Sequence, residues 1–384
     1  MSEPVRYIET DDPTPGPEPG MALCLSGGGY RAMLFHVGTF WRLHETGLLG
    51  KLKRISSVSG GSIAAGMLAL KWGQPLNEIV EPILQLAGRT IDVGAVLSGV
   101  VLPTVTAAER VAGAYRRHLF GDATLQDFPD APHFVINATN VQSGVLWRFT
   151  KPYMWDYRVG KVPSPDASLA TAVAASSAFP PFLSPCRLKL RSDQFEPNTG
   201  LDLQREPFTT RVLLTDGGVY DNLGLETAWK RYDTILVSDA GGKIDPEPRP
   251  RVNWFSHTRR VLEIIDNQVR SLRKRQVIDS YLNGSRKGAY WGIRTDVRDY
   301  PLDDPLDCPH ERTMRLAEIP TRLKRLVNWG YAVCDAALRA HVDRALARHL
   351  GVRKMGIGQG RGPDIPGIHN PHDAFSRPSQ HAGA

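Results

Sequence analysis

Cysteine is scarce in this chain. Four occur in 384 residues, Cys24, Cys186, Cys308 and Cys334, and no two share the spacing of a zinc or redox motif. That excludes a disulfide scaffold, a cysteine-built zinc site and thioredoxin-like chemistry. The thiols are expected to be reduced core side chains of a cytoplasmic protein. A clean membrane-spanning run is also missing. Residues 167–186 are free of charge, but Pro180, Pro181, Pro185 and four serines interrupt them, and the uncharged stretch 93–108 is too short and is broken by Pro103. The first twenty residues hold five prolines and several acids in place of the basic-then-apolar order of a secretory signal. Any membrane contact is therefore expected to be peripheral.

What is present suits a large folded domain. Apolar residues make up 41% of the chain and charged ones 23%, which excludes disordered and collagen-like classes. The net charge of +7 favours anionic partners without choosing among them. The run Met21-Ala22-Leu23-Cys24-Leu25 is apolar without alternation and stops at Ser26-Gly27-Gly28-Gly29, as expected of a central strand buried on both faces and followed by a tight turn. Met33, Leu34, Val37, Phe40, Trp41 and Leu43 then recur at helical spacing as far as Gly47. Ile55 to Ser59, Gly60-Gly61 and the apolar residues from Ile63 to Leu70 repeat the same order of strand, turn and helix. Further strands are expected at 133–139, 211–215 and 234–238, with 187–210 a hairpin or surface excursion before the fourth. This alternation predicts an α/β fold, a three-layer α/β/α sandwich with a mostly parallel central sheet. One domain is expected over 21–350, between a flexible N-terminal segment, 1–20, and a Gly-, Pro- and His-rich tail, 351–384, expected to be disordered; the last helix is placed at about 317–349.

Three turns carry chemistry-bearing residues. Ser57-Val58-Ser59-Gly60-Gly61 is a G-x-S-x-G elbow with serine for the first glycine, which makes Ser59 the candidate nucleophile and Gly61 part of the required small-residue frame. By itself it also fits a plain turn that packs a helix on a sheet. Gly27, Gly28 and Gly29 offer unobstructed N–H groups to an oxyanion or a phosphate, and Arg31 adds a positive charge. No Gly-Lys-Ser/Thr follows as in a phosphate loop, and Ala32 stands where a dinucleotide motif has its third glycine. Asp216 closes a hydrophobic strand and is followed by Gly217-Gly218, so it is the candidate base. It is expected to project from the same edge of a parallel sheet as Ser59.

These motifs, in this order and each after a predicted strand, together with Ala175-Ser176-Ser177-Ala178-Phe179-Pro180-Pro181-Phe182, resemble the patatin-like phospholipases; Gly-Gly-Gly-Tyr-Arg-Ala-Met is similar to the cytosolic phospholipase A2 branch. The resemblance runs from about Ala22 to Gly242. It implies a Ser59–Asp216 dyad acting through an acyl-enzyme on phospholipid or other acyl-ester substrates, without metal or other cofactor. It also implies an oxyanion held by Gly28 and Gly29 with Gly27 at the turn, and Arg31 supporting the loop or a lipid phosphate. The departures are Ser57 and Ala32, where many members have glycine.

Two rival readings stay open. An α/β-hydrolase triad would use a histidine after the acid, and His257, His310, His341 and His349 qualify by order alone. A catalytically silent lipid- or anion-binding protein could keep the same fold. Positive charge concentrates between Arg251 and Lys287, where nine basic residues face three acids. This favours an anionic membrane surface, and no nucleic-acid motif accompanies it. Phe255, Leu262, Ile265, Val269 and Leu272 form a helical stripe there that is expected to face the core.

Overall fold

The apolar run from Met21 to Leu25 lies in strand β1 (Glu18–Leu25), and its side chains part between two hydrophobic clusters. Leu23 and Leu25 join one, Ala22 and Cys24 the other. Successive side chains of a strand point to opposite faces, so a strand covered on both sides has to be apolar throughout. The computed structural model describes residues 17–88, 106–242, 244–303, 305 and 319–346. The expectations for 93–105, most of the N-terminal segment and the C-terminal tail lie outside them, as do Cys308, His310 and His349.

The remaining strands are β2 (Leu52–Val58), β3 (His133–Asn140), β4 (Val145–Phe149), β5 (Tyr153–Asp156), β6 (Gly160–Pro163), β7 (Cys186–Lys189), β8 (Arg211–Asp216), β9 (Tyr232–Asp239) and β10 (Lys287–Gly292). They form one sheet in the order β10-β9-β1-β2-β3-β4-β5-β6. The stretch from β10 to β3 is parallel, β4 to β6 continue it as an antiparallel meander, and the β7–β8 hairpin joins through β8 to β3. The hairpin carries the polar excursion anticipated before Arg211.

Helices α1 (Gly29–Glu45), α2 (Gly60–Leu70), α3 (Leu76–Gly88), α4 (Ala107–Tyr115), α5 (Leu169–Ser176), α6 (Gly218–Asp221), α7 (Glu226–Trp229), α8 (Trp254–Leu282) and α9 (Ile319–His341) are the α-helices among the described residues. α1, α2, α3 and α9 supply the larger cluster on one face of the sheet, while α7 and the end of α8 supply Ala228 and Val277 to the smaller cluster on the other. The architecture is a three-layer α/β/α sandwich. Cys24, Cys186 and Cys334 are buried free thiols. Among the described residues no helix is long and apolar enough to cross a membrane.

The stripe on α8 departs from expectation. Of the 29 residues in this helix only Arg270, Val277 and Ser280 are buried, and Phe255, Leu262, Ile265 and Leu272 are 38–52% exposed. Length explains it. A 29-residue helix runs about 43 Å, against about 26 Å for an eight-residue strand. The final turns cover the sheet, and the rest overhangs the strand ends. α9 also differs, ending at His341 instead of near 349.

α1 and α9 cross in backbone contact. A Cβ at Gly38 would meet the Val327 carbonyl and the Tyr331 amide, and one at Gly330 would meet the Phe35 carbonyl. Gly38→Ala and Gly330→Ala are each expected to push the helices apart at a cost of about 1–3 kcal/mol. The double variant should cost less than the sum, because both act on one crossing. Urea unfolding of the three variants measures this, and unchanged midpoints would contradict the packing.

Candidate active site

The site forms where two strands meet end to end. β3 pairs with β2 in parallel from His133 to Asn137, the last pair being Val58 with Asn137. On the next residues, Ala138 to Asn140, it pairs antiparallel with β8, beginning at Asp216 opposite Ala138. β4 occupies the other edge of β3 over 136–140, so β2 and β8 share one edge and run toward each other. The aspartate strand is thus antiparallel, against the parallel arrangement expected. A parallel strand would only have brought its end level with β2 at a lateral spacing, whereas this one ends directly against it. Gly217 allows the junction, since the Asn137 carbonyl fills the space where its Cβ would point.

Ser59 follows β2 at the sharp turn into α2, with φ 51° and ψ −120°. A non-glycine residue in this region is strained by about 1–3 kcal/mol and persists only where its surroundings hold it. Here the Ser59 amide donates to Ser176 Oγ at 2.9 Å, and Ser176 Oγ donates to the Asn137 carbonyl at 2.6 Å. Asn137 Nδ2 in turn donates to Ser56 Oγ and to the Ser57 carbonyl, both at 2.9 Å. Gly61 packs its Cα onto the Leu25 and Ser26 carbonyls. Ser57 and Ser62 are fully buried and hydrogen-bonded, Ser57 Oγ to the Val135 carbonyl and Ser62 Oγ to Ser57 and Ser176. Of the three serines at this turn only Ser59 borders the cleft.

Asp216 is 3% exposed. Its Oδ1 accepts the Gly218 amide at 2.7 Å, and Ser59 borders the same cleft. Burial pushes its pKa up to about 7 and the nearby Asp266 adds to the rise, while the Gly218 amide and the Ser59 side chain oppose it. A carboxyl that titrates near neutrality is what a proton acceptor needs. The proline block grips this strand too, because the Ala178 carbonyl accepts the Asp216 amide and the Ser176 carbonyl accepts the Gly217 amide.

The glycine loop completes the site. Gly28 has φ 139°, which suits glycine alone, and the N–H groups of Gly28 and Gly29 make no hydrogen bond among the described residues. The Gly27 amide is already taken by the Asn222 carbonyl and Oδ1 at 3.0 and 3.2 Å, leaving two of the three anticipated glycines with a free donor. Asn222 Nδ2 reaches Asp266 on α8 at 3.3 Å. Behind the loop His36 is wholly buried: Nε2 donates to the Ser26 carbonyl at 3.0 Å, so Nδ1 accepts from Ser238 Oγ at 2.9 Å. Trp291 Nε1 and Thr39 extend this chain. Burial lowers the His36 pKa to about 4 and keeps the ring neutral. Arg31 Nη2 donates to the Ala240 carbonyl at 3.4 Å, and burial with the Arg294 and Arg270 guanidiniums nearby lowers its pKa, Asp239 opposing.

Ser59, Asp216, Gly28, Gly29, Gly218 and Arg31 all border one cleft of about 850 Å³. Its walls include Ile63, Val111, Phe179, Leu183 and, from α8, Leu262, Ile265 and Val269. No histidine among the described residues lines it. His257 is exposed on α8, and His341 meets the Tyr300 ring edge-on. The sequence carried no signal for His36 or Asp266, whose partners lie elsewhere along the chain; Ser176 sat inside a quoted motif without a role, and Asn222 lies just beyond the Asp-Gly-Gly turn.

A strained serine after a parallel strand, sharing one cleft with a buried carboxyl and free glycine amides, defines a serine–carboxylate site on an α/β sheet. A model of the patatin-like phospholipase family matches residues 23–229, more than half of the chain, and the protein belongs to that family. No curated protein sequence matches it significantly. Similar solved structures include VipD from Legionella pneumophila, at 16% identity over 84% of this chain and 67% of that one, with a TM-score of 0.38. Human GIVD cytosolic phospholipase A2 with methyl gamma-linolenyl fluorophosphonate is another, at 14% identity over 83% and 57%, with a TM-score of 0.46. The chain spans little more than half the length of the human protein.

Asp216 makes stability depend on pH. Unfolded, it titrates near 3.8; folded, near about 7. The native state holds the proton more tightly, so this contribution is complete below about 4 and is lost as pH rises through 7. Asp216→Asn keeps an acceptor for Gly218 without a charge to bury. It is expected to be more stable than the unmodified protein at pH 8, by up to about 4 kcal/mol, with the gap closing toward pH 4. Denaturant melts at both pH values test this, and an equal gap at both would refute it.

Proposed function

We propose that the protein is a serine lipid acyl hydrolase that cleaves fatty-acyl esters of phospholipids or related lipids, as a phospholipase A or lysophospholipase, through a Ser59–Asp216 dyad. The strained Ser59 and the buried Asp216 carboxyl, brought to one cleft where β2 and β8 meet end to end, carry this reading. Asp216 takes the Ser59 proton as Oγ attacks the ester carbonyl, and the N–H groups of Gly28 and Gly29 receive the oxyanion. The N-termini of α1 and α2 both point at this spot and favour the same charge. Collapse expels the alcohol, which takes the proton back from Asp216. A water then attacks the acyl-enzyme, gives its proton to Asp216, and the acid leaves as Ser59 is restored.

The carboxylate does the work a histidine does in a triad, because burial has brought its pKa to the operating range. Apolar cleft walls suit an acyl chain, and Arg31 and Arg270 on the same wall suit a lipid phosphate. The substrate class would bring the protein to anionic membrane surfaces from the cytoplasmic side, as a peripheral protein needing no cofactor.

Ser59→Ala and Asp216→Asn are each expected to lower fatty-acid release from phospholipid vesicles by about a thousandfold or more while keeping the fold. Activity surviving in Ser59→Ala would overturn the dyad, and an inert unmodified protein that still binds lipid would favour the silent-binding alternative. The base acts ionised, so kcat/KM should rise with pH through about 7. Asp266 raises the Asp216 pKa, so Asp266→Asn should move that limb to lower pH; an unmoved limb would separate Asp266 from the base.

A further inference from the structure

The first half of α8 and the segment before it expose what a folded protein ordinarily hides. Val252 is 92% and Trp254 81% exposed, and Phe255, Val261 and Leu262 are about half so. Across from them, in the loop after α5, Phe179 and Phe182 are similarly exposed. The two elements form one surface: the Phe182 and Phe255 rings meet edge to face at 5.5 Å. Clustered exposed aromatics beside a cleft mark an interaction surface, whereas scattered ones mean little.

We infer that this surface docks the protein on an anionic lipid bilayer. Three observations favour that occupant. Phe179 and Leu262 belong both to the exposed face and to the lining of the cleft that holds Ser59, so the exposed apolar surface reaches the cleft itself. A lipid drawn from a bilayer would meet the cleft at these two side chains. Arg249 and Arg251 are exposed on either side of Val252, with no ion pair among the described residues, which complements anionic headgroups. The tryptophan stands at the start of a helix with arginines on both sides, a combination suited to the boundary between headgroups and chains. A second copy of this chain fits less well, because a two-fold contact would set these arginines against themselves.

The inference takes its purpose from the lipid-hydrolase reading, but its measurement needs no turnover. Full-length protein carrying Ser59→Ala is sedimented with phosphatidylcholine vesicles and with mixed phosphatidylcholine–phosphatidylglycerol vesicles. Binding to the mixed vesicles is expected. It should weaken by about tenfold or more when Val252, Trp254 and Phe255 are all changed to Ser. Arg249→Gln with Arg251→Gln should remove most of the preference for phosphatidylglycerol and the sensitivity to salt. None of these five residues borders the cleft. With Ser59 intact, all variants should hydrolyse a monomeric short-chain ester at the unmodified rate. Equal vesicle binding by the triple serine variant, or no vesicle binding by the parent, overturns the inference. So does self-association that the triple variant abolishes in the absence of vesicle binding. Vesicle binding that depends on these residues in a protein inert toward every ester would uphold the surface and reject the hydrolase reading instead.

Discussion

One edge of β3 is shared by two strands that approach each other, and the chemistry-bearing part of the molecule depends on that meeting. β2 delivers Ser59 and β8 delivers Asp216 to the same point, because the register of β3 passes from Asn137, opposite Val58, to Ala138, opposite Asp216. Two side chains on separate loops would need their own supports to stay in hydrogen-bond range. Here the ladder of β3 fixes both, and rigid elements hold a site better than loops do. The junction is sealed by Ser176, which bonds to both sides of it: its hydroxyl accepts the Ser59 amide and its backbone carbonyl accepts the Gly217 amide.

Two costs are concentrated at this junction, the backbone strain of Ser59 and the burial of the Asp216 carboxyl. Each has a visible counterweight, in the hydrogen bond that the Ser59 amide donates to Ser176 Oγ and in the one that Asp216 accepts from the Gly218 amide. Neither counterweight cancels its cost, since Asp216 stays raised despite the bond it accepts. On the proposed reading, a carboxyl relaxed to the ordinary range would bind the serine proton too weakly to move it at neutral pH, and the residual burial penalty would be the useful part.

Much of this was legible in the sequence, and what was not has a common cause. β1 and its glycine turn, the serine elbow and the Asp-Gly-Gly turn are local signals, written within a few adjacent residues, and each was readable. The direction of β8 was not, because a hydrophobic run has the same appearance whichever way it pairs. The role of Gly27 was also hidden, since its amide is occupied by Asn222, 195 residues away. His36 reads as one more residue on a helical face until Ser26 and Ser238 are brought beside it. The stripe on α8 misled for a further reason: helical periodicity shows which residues share a face but not what that face meets, and a helix longer than the sheet it crosses meets two different surroundings.

That overhang joins the parts of the molecule. The end of α8 is anchored by Val277 in the smaller core, and its middle places Asp266 against Asn222, the residue that holds the Gly27 amide. One turn further along, Arg270 donates to the Gly242 carbonyl at the cleft wall. Its beginning is the exposed apolar face beside Phe182. A single rigid rod thus touches the core, the glycine loop and the outer surface in sequence. The rod is held at each of these levels, since Arg273 also pairs with Glu226 at 2.9 Å and Tyr281 donates to the Ile235 carbonyl at 2.6 Å. The exposed first turns are thus carried by an anchored element, which sets the orientation of the outer apolar face relative to the cleft.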